Sequence, residues 1–183
     1  MLQLSPLQLV EYAFDGISVT PVEDYTPDAE YSSNLVFFPG KLALSAEVGQ
    51  VLLKEEEKYS DYGVTLVIQV EPKTEKVAPY VVKATVRGVV RMHWIQATDL
   101  AEERRVRALV NGASLLYGAV REMVGNITSR SKYGQLLLPS LSFADLANRR
   151  PDEASLKPGD EPLNSIAFSK RTPRAKPKAK ASA

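Results

Sequence analysis

Several kinds of residue are scarce in this sequence, and each scarcity excludes a kind of chemistry. The 183 residues include no cysteine and a single histidine, His93. Disulfides, thiolate nucleophiles and cysteine-based metal sites are therefore excluded. No apolar run approaches the roughly 20 residues needed to cross a bilayer, so we expect no membrane insertion. Residues 1–10 also lack the basic start and apolar stretch of a signal peptide.

Groups that could carry catalysis are equally sparse. The sequence contains neither a GxGxxG fingerprint nor a Walker loop for phosphate. The run of Glu55, Glu56 and Glu57 would alternate between the two faces of a strand, which argues against a shared metal site. His93 falls on the polar face of a predicted strand without a candidate catalytic partner. We therefore expect no enzymatic activity and no bound cofactor.

The net charge of +1 hides a division of the chain into two parts. Residues 149–183 hold nine Lys/Arg and four Asp/Glu, a net charge of +5, whereas residues 1–148 hold fourteen and eighteen, a net charge of −4. The last 35 residues also contain five of the twelve prolines, a composition that does not form a packed core. We predict a folded domain over residues 1–148 and a disordered basic tail over residues 149–183.

The first half of the domain has the two-residue periodicity of β-strands. Four strands are predicted, in residues 10–19, 42–53, 64–70 and 80–94. The last two are joined by a polar, proline-bounded connection over residues 72–79, so they should form an antiparallel hairpin. The alternation changes phase at Gly16 in the first strand and at Gly49 in the second, which predicts a β-bulge at each glycine.

The second half changes to the three- and four-residue spacing of an amphipathic helix. A helix is predicted over residues 99–129, with Asp99 as its N-cap and Glu102 as the reciprocal capping partner. Its length of about 45 Å exceeds what one small sheet covers, which indicates a partner helix from another subunit. With a short second helix over residues 143–148, the predicted fold is α+β: a four-stranded antiparallel sheet packed by one long C-terminal helix.

Two segments leave alternatives open. Residues 133–143 (YGQLLLPSLSF) form an apolar loop around Pro139, either packed on the chain's own sheet or available to a ligand. The tail carries six Lys/Arg between Lys170 and Lys180 and is either a solubilising segment or an electrostatic contact for nucleic acid or an acidic protein.

Residues 115–146 (LLYGAVREMVGNITSRSKYGQLLLPSLSFADL) resemble the C-terminal signature of the SecB family of export chaperones. In that signature, a helix carrying Arg-Glu leads through Arg, an aromatic residue and Leu-Pro to Phe. The matching residues are Arg121, Glu122, Arg130, Tyr133, Leu136, Leu138 and Phe143. Upstream, Phe37-Phe38-Pro39 is similar to the aromatic end of the family's crossover loop.

The resemblance implies a cytoplasmic, ATP-independent holdase that forms a homotetramer, a dimer of dimers with its long helices between two eight-stranded sheets. Its clients would be unfolded polypeptides, either preproteins or the antitoxin of a toxin–antitoxin pair. The resemblance implies that the crossover loop and the loop after the helix bind the client. The corresponding residues here are Phe37, Phe38, Tyr133, Leu136, Leu137, Leu138 and Leu141. For the subunit interface we assign residues of the apolar helix stripe: Leu109, Ala113, Leu116, Tyr117 and Val120.

Some positions depart from the family pattern. Tyr117-Gly118-Ala119 stands where the family often has Phe-Pro-Tyr. Gly16 and Thr20 occupy first-strand positions that align with two acidic residues through which export members dock onto the SecA motor. The resemblance therefore supports client holding better than export. The alternative hypothesis is an adaptor that binds nucleic acid or protein through its basic tail; for the holdase, no nucleic-acid partner is expected.

Overall fold

Within the part of the chain that the structure describes, four long strands pair into one antiparallel sheet, and one long helix follows them. The computed structural model describes residues 5–25, 42–72, 78–93 and 100–148. The elements are β1 (Leu7–Pro21), β2 (Leu42–Glu55), β3 (Tyr59–Pro72), β4 (Tyr80–His93), α1 (Ala101–Thr128) and a 3₁₀ helix (Ala144–Asn148). The predicted α+β fold class is confirmed, including the short helix after the apolar loop.

The strand order in the sheet is β1-β4-β3-β2. The predicted hairpin is present, because β3 and β4 pair antiparallel from Tyr59↔His93 to Val70↔Val82. β1 and β2 are consecutive in the chain but occupy the two opposite edges of the sheet. Each edge strand therefore has one side that pairs with no other described strand.

One of the two predicted bulges is in the expected place. The β1–β4 register shifts between Phe14 and Gly16, as predicted, and a further shift lies between Leu9 and Glu11. The bulge predicted at Gly49 is wrong, because Gly49 pairs regularly with Thr65 and β2 shifts only between Leu52 and Lys54.

The region around Gly63 explains why β2 does not bulge at Gly49. Val51 pairs with Gly63 on the face of the sheet that points away from α1, here called the outer face. A Cβ added at Gly63 would lie 3.1 Å from Val51 Cγ1 and 3.4 Å from Leu53 Cδ1. The apolar side chains of β2 thus fill the space left by a glycine on β3, so Val51 stays in register on the outer face.

The core lies between α1 and the opposite face of the sheet, here called the helix face. Alternate residues of β3 and β4 that face α1 are almost fully buried: Val64, Leu66, Ile68, Val70, Tyr80, Val82, Ala84, Val86 and Val90. Helix and sheet pack closely at Gly112, where an added Cβ would lie 3.0 Å from Val90 Cγ2 and 3.1 Å from Val64 Cγ2. A larger side chain at Gly112 would push α1 away from the sheet.

The helix begins differently from the prediction. Its N-cap is Leu100, which makes no side-chain capping hydrogen bond, and Asp99 lies outside the described residues. Glu102 instead forms an ion pair with Arg105, with a nitrogen–oxygen distance of 2.8 Å. The hydrogen bonds between these two side chains raise the pKa of Arg105 and lower the pKa of Glu102. Arg104 is buried and reaches Glu55 on β2 at 3.4 Å. The first turn of α1 is therefore fixed by ion pairs within the helix and to the sheet.

Several predicted features fall on residues outside the described ranges. They are Trp94, most of the connection over residues 72–79, the crossover loop with Phe37 and Phe38, and the tail over residues 149–183. The predicted boundary between domain and tail therefore stays a prediction.

Candidate functional site

The loop after α1, residues 129–143, turns at residues 129–133 and then runs along the helix, where side chains of α1 hold it. Thr128 Oγ1 accepts a hydrogen bond from the backbone N–H of Leu136 at 2.7 Å. Arg121 donates to the carbonyl oxygen of Leu138 at 3.0 Å, and the Tyr117 hydroxyl donates to that of Pro139 at 2.6 Å. Because these backbone groups have side-chain partners, the loop needs no strand partner to be ordered.

Along this path, the side chains of the loop point alternately toward the core and toward the solvent. Leu136 and Leu138 are 4% and 2% exposed, whereas Leu137 between them is 45% exposed. Leu141 is partly buried and packs against the core. For Leu136 and Leu138, the structure thus agrees with packing on the chain's own core, while Leu137 is open to a ligand.

Tyr133 connects the loop to the start of the segment that precedes β2. Its hydroxyl donates to the carbonyl oxygen of Val22 at 2.7 Å, and its ring lies edge-on to Tyr25 at 5.1 Å. Tyr80 accepts from the Tyr133 backbone N–H at 2.9 Å and donates to the Gly134 carbonyl at 3.0 Å. Tyr133 is therefore a half-buried packing residue that joins two loops to β4.

The residues predicted for a subunit interface lie mainly on the buried face of α1. Ala113, Leu116, Tyr117 and Val120 are buried within the single chain, and Leu109 packs partly buried against the same core. The large apolar side chains that α1 exposes are Leu115, Met123 and Ile127. An interface role for the five predicted residues stays a prediction, and the exposed helix face offers a partner different side chains.

Both edge strands expose large apolar residues that the periodicity did not single out as a site. They are Val10 and Tyr12 on β1 and Val51, Leu52 and Leu53 on β2, each between 42% and 51% exposed. The sequence feature that could have identified the exposed residues of β2 is the unbroken apolar run Val51-Leu52-Leu53, because a strand cannot turn three consecutive side chains toward one core. The sheet order then places this run at an edge.

The outer face of the sheet carries a polar cluster beside these apolar residues. Arg91 makes a bidentate ion pair with Asp61, at 2.7 and 2.8 Å, and its guanidinium lies 4.1 Å from the centre of the Tyr59 ring. The hydrogen bonds to Asp61 raise the pKa of Arg91. His93, predicted to lie on the polar face of its strand, is exposed, with its ring 5.9 Å from Tyr59. The cluster therefore consists of side chains that pack against one another across neighbouring strands.

A cavity of about 450 Å³ lies between residues 5–7, the end of β4 and α1. Its walls combine apolar Leu7, Met92 and Leu115 with Arg104 and Arg107. Each arginine contacts a carboxylate of the chain, Glu55 and Glu103 respectively. These ion pairs favour a structural role for the two arginines.

Within the described ranges, no group of three or more His, Asp or Glu side chains is arranged to hold a metal ion. Among those same residues, no helix is both long enough and apolar enough to cross a membrane.

Burial gives Tyr117 an unusual titration. It raises the pKa of the Tyr117 phenol from 10.0 to about 12, so the phenol ionises more readily in the unfolded chain than in the folded one. The stability contributed by the neutral phenol is full below pH 10 and is lost as the pH rises toward 12. We expect a late tyrosinate absorbance step in the native protein that the Tyr117→Phe variant lacks. In urea the late step should disappear; if it persists there, its origin is not burial.

The described residues define an α+β fold in which a four-stranded antiparallel sheet carries one long helix on one face. No protein-family model matches the sequence, and no curated protein matches it closely.

The solved structures to which this chain is similar include the following two. One is a SecB-like chaperone of Mycobacterium tuberculosis, solved in complex with a peptide from an antitoxin. The two sequences are 17% identical, the match covers 74% of this chain and 88% of the other chain, and the TM-score is 0.44. The other is a protein of unknown function from Streptococcus agalactiae. Its sequence is 11% identical, the match covers 73% of this chain and 96% of the other chain, and the TM-score is 0.48.

Proposed function

We propose that this protein is an ATP-independent holdase that binds unfolded or non-native polypeptides. The observation that carries the proposal is the exposure of large apolar side chains on both edge strands, Val10 and Tyr12 on β1 and residues 51–53 on β2. Apolar edge strands are pairing templates that soluble proteins normally protect. A protein that exposes two of them has surfaces suited to extended, apolar segments of other chains. In the proposed tetramer with eight-stranded sheets, one edge of each subunit would join the sheet of a second copy, and the other edge would be open to a client.

The loops supply a second part of the proposed client surface. Leu137 is exposed on the loop after α1, and Tyr133 and Leu141 are partly buried beside it. In this proposal Leu136 and Leu138 hold the loop in place. Phe37 and Phe38, which lie outside the described residues, are proposed as further client-binding residues because the sequence resemblance implies that role. Binding by apolar contact needs no nucleotide or other cofactor.

The sequence resemblance supports the finer features of the proposal. These are a cytoplasmic homotetramer, arranged as a dimer of dimers, and a client that is either a preprotein or an antitoxin. Several weak contacts on one tetramer would act together and raise the affinity for a long client. Co-purification with the product of a neighbouring antitoxin gene would favour a dedicated client, whereas a measurable interaction with SecA would favour export.

An aggregation assay tests the proposal directly. A chemically unfolded test protein is diluted into buffer that contains the full-length chain, and light scattering is followed without nucleotide. We expect scattering to fall as the concentration of the chain rises, and added ATP to change nothing. Native mass measurement should find the active species as a tetramer.

Matched variants separate this function from the alternatives. Tyr12→Ser and Leu52→Ser should each weaken the suppression, because both side chains are about half exposed at an edge. Gln69→Ser, at an exposed polar position of β3, should not. Deletion of residues 150–183 should also leave suppression intact. If the full-length chain fails to suppress aggregation, or if suppression depends on the tail, the holdase proposal is wrong.

A further inference from the structure

The contacts around Tyr133 form a closed ring that joins residues 22–25, which follow β1, to the loop after α1. The backbone N–H of Val22 donates to the carbonyl oxygen of Pro79 at 2.9 Å. The hydroxyl of the next residue, Tyr80, accepts a hydrogen bond from the backbone N–H of Tyr133 at 2.9 Å. The hydroxyl of Tyr133 then donates back to the carbonyl oxygen of Val22 at 2.7 Å. Residues 22–25 therefore cannot leave the loop after α1 without breaking part of this ring.

Tyr80 fixes the backbone of the turn at Tyr133 without help from the Tyr133 side chain. Gly134 has a φ of +78°, a left-handed conformation that favours glycine, and its carbonyl oxygen accepts from the Tyr80 hydroxyl at 3.0 Å. Tyr80 is 0% exposed, so its hydroxyl is shielded from water. A change confined to the Tyr133 side chain should therefore leave this turn in place.

The Tyr133 hydroxyl does more than fill space. Besides the carbonyl oxygen of Val22, it approaches that of Glu23 at 3.2 Å, while the ring of Tyr133 lies edge-on to the Tyr25 ring. A phenylalanine would keep the ring contact and lose both hydrogen bonds. The hydroxyl thus connects the two loops, whereas packing alone needs only the ring.

Tyr117 holds the same loop in a different way. Its hydroxyl donates to the carbonyl oxygen of Pro139 at 2.6 Å, and its ring lies edge-on to Phe143 with 5.8 Å between the ring centres. Both contacts connect α1 to the loop. Of the Tyr117 and Tyr133 hydroxyls, it is that of Tyr133 which also contacts residues 22–25.

We propose that Tyr133 is a positioning residue for client binding: its hydroxyl couples residues 22–25 to the loop that carries Leu137, so that both respond to one bound client. This inference rests on the proposed holdase function and gives Tyr133 a role other than direct contact with the client. Segments that are already joined lose less conformational freedom when a client binds, which raises the affinity. Loss of the link should weaken client binding by about fivefold, the change that corresponds to one ordinary hydrogen bond.

Amide hydrogen exchange of the full-length chain tests the coupling, because it reports local opening segment by segment. The probe is a reduced and alkylated disulfide-rich protein, which stays unfolded because its disulfides cannot re-form. Bound probe should slow exchange of the wild type in residues 133–138 and also in residues 22–25. In Tyr133→Phe, exchange should still slow in residues 133–138, but the slowing in residues 22–25 should be lost and the affinity for the probe should fall about fivefold.

Tyr117→Phe is the matched control, because it also removes one hydroxyl that holds the loop. This variant should keep the slowing of exchange in residues 22–25 when the probe binds. Equal loss of that response in both variants would overturn the inference, since the hydroxyls would then only support the packing of the loop.

Two further results would overturn it. One is a response of residues 22–25 that persists in Tyr133→Phe, and the other is a wild type in which these residues do not respond to the bound probe. The second measurement needs no variant, so it decides the matter even if Tyr133→Phe fails to fold. Suppression of aggregation by the wild type is measured in parallel. If suppression is present, these results defeat the coupling alone, whereas its absence defeats the holdase proposal as well.

Discussion

Replacement of Leu138 by Ala should lower the free energy of unfolding by about 2–5 kcal/mol, the usual cost of truncating a buried leucine. Leu138 is 2% exposed, and its carbonyl oxygen is held by Arg121. The surrounding chain therefore cannot easily collapse into the cavity that truncation leaves. Urea unfolding followed by circular dichroism, at one fixed protein concentration because assembly affects apparent stability, measures the loss.

Leu137 is the matched control for this experiment, because it is the same residue type one position earlier. At 45% exposed, its replacement by Ala should change the free energy of unfolding by no more than about 0.5 kcal/mol. The Leu137 variant should instead weaken binding of an unfolded client. Equal destabilisation by the two substitutions would contradict the alternation of the loop between core and solvent.

Replacement of Gly88 by Val should be the most disruptive single change in the sheet. A Cβ at Gly88 would lie 2.9 Å from the carbonyl oxygen of Glu11 and 2.9 Å from Leu116 Cδ2. One contact is with backbone, so the substitution must displace β1, α1 or both. We expect a loss of at least about 3 kcal/mol, at the upper end of overpacking costs, or a chain that does not accumulate as soluble protein.

Gly49→Val serves as the control, since an added Cβ there meets no atom within 4 Å. Valine is favoured over glycine in strands by up to about 1 kcal/mol, so this variant should be as stable as the wild type or slightly more stable. Thermal unfolding of the two variants side by side decides the point. A Gly88→Val protein as stable as Gly49→Val would mean that β1 and α1 lie farther from β4 than described.

Local periodicity predicted the element types well, because each strand and the helix repeat their apolar residues over many positions. The failure at Gly49 has a clear cause. A phase change in the sequence shows where side chains switch character, whereas a bulge depends on the partner strand, and Gly63 on β3 allows Val51 to stay apolar on the outer face. The alternation of apolar residues in a single strand does not show which residues of another strand it pairs with.

The candidate site was less accessible from sequence for a related reason. Leu136, Leu137 and Leu138 are chemically identical, and their separation into buried and exposed positions depends on hydrogen bonds from Thr128 and Arg121. Exposure of residues 51–53 likewise follows from the position of β2 at the edge of the sheet. The order of strands in a sheet is a long-range property that local spacing does not encode.

The side-chain hydrogen bonds along the loop after α1 also limit how this protein can change over evolution. Loops usually tolerate insertions and deletions. Here the addition or removal of one residue between Gly134 and Pro139 would move Leu137 into the core and expose its neighbours, or leave the carbonyl groups opposite Arg121 and Tyr117 out of register. Related sequences should therefore keep the length of this loop constant even where its composition varies, and length changes should concentrate elsewhere.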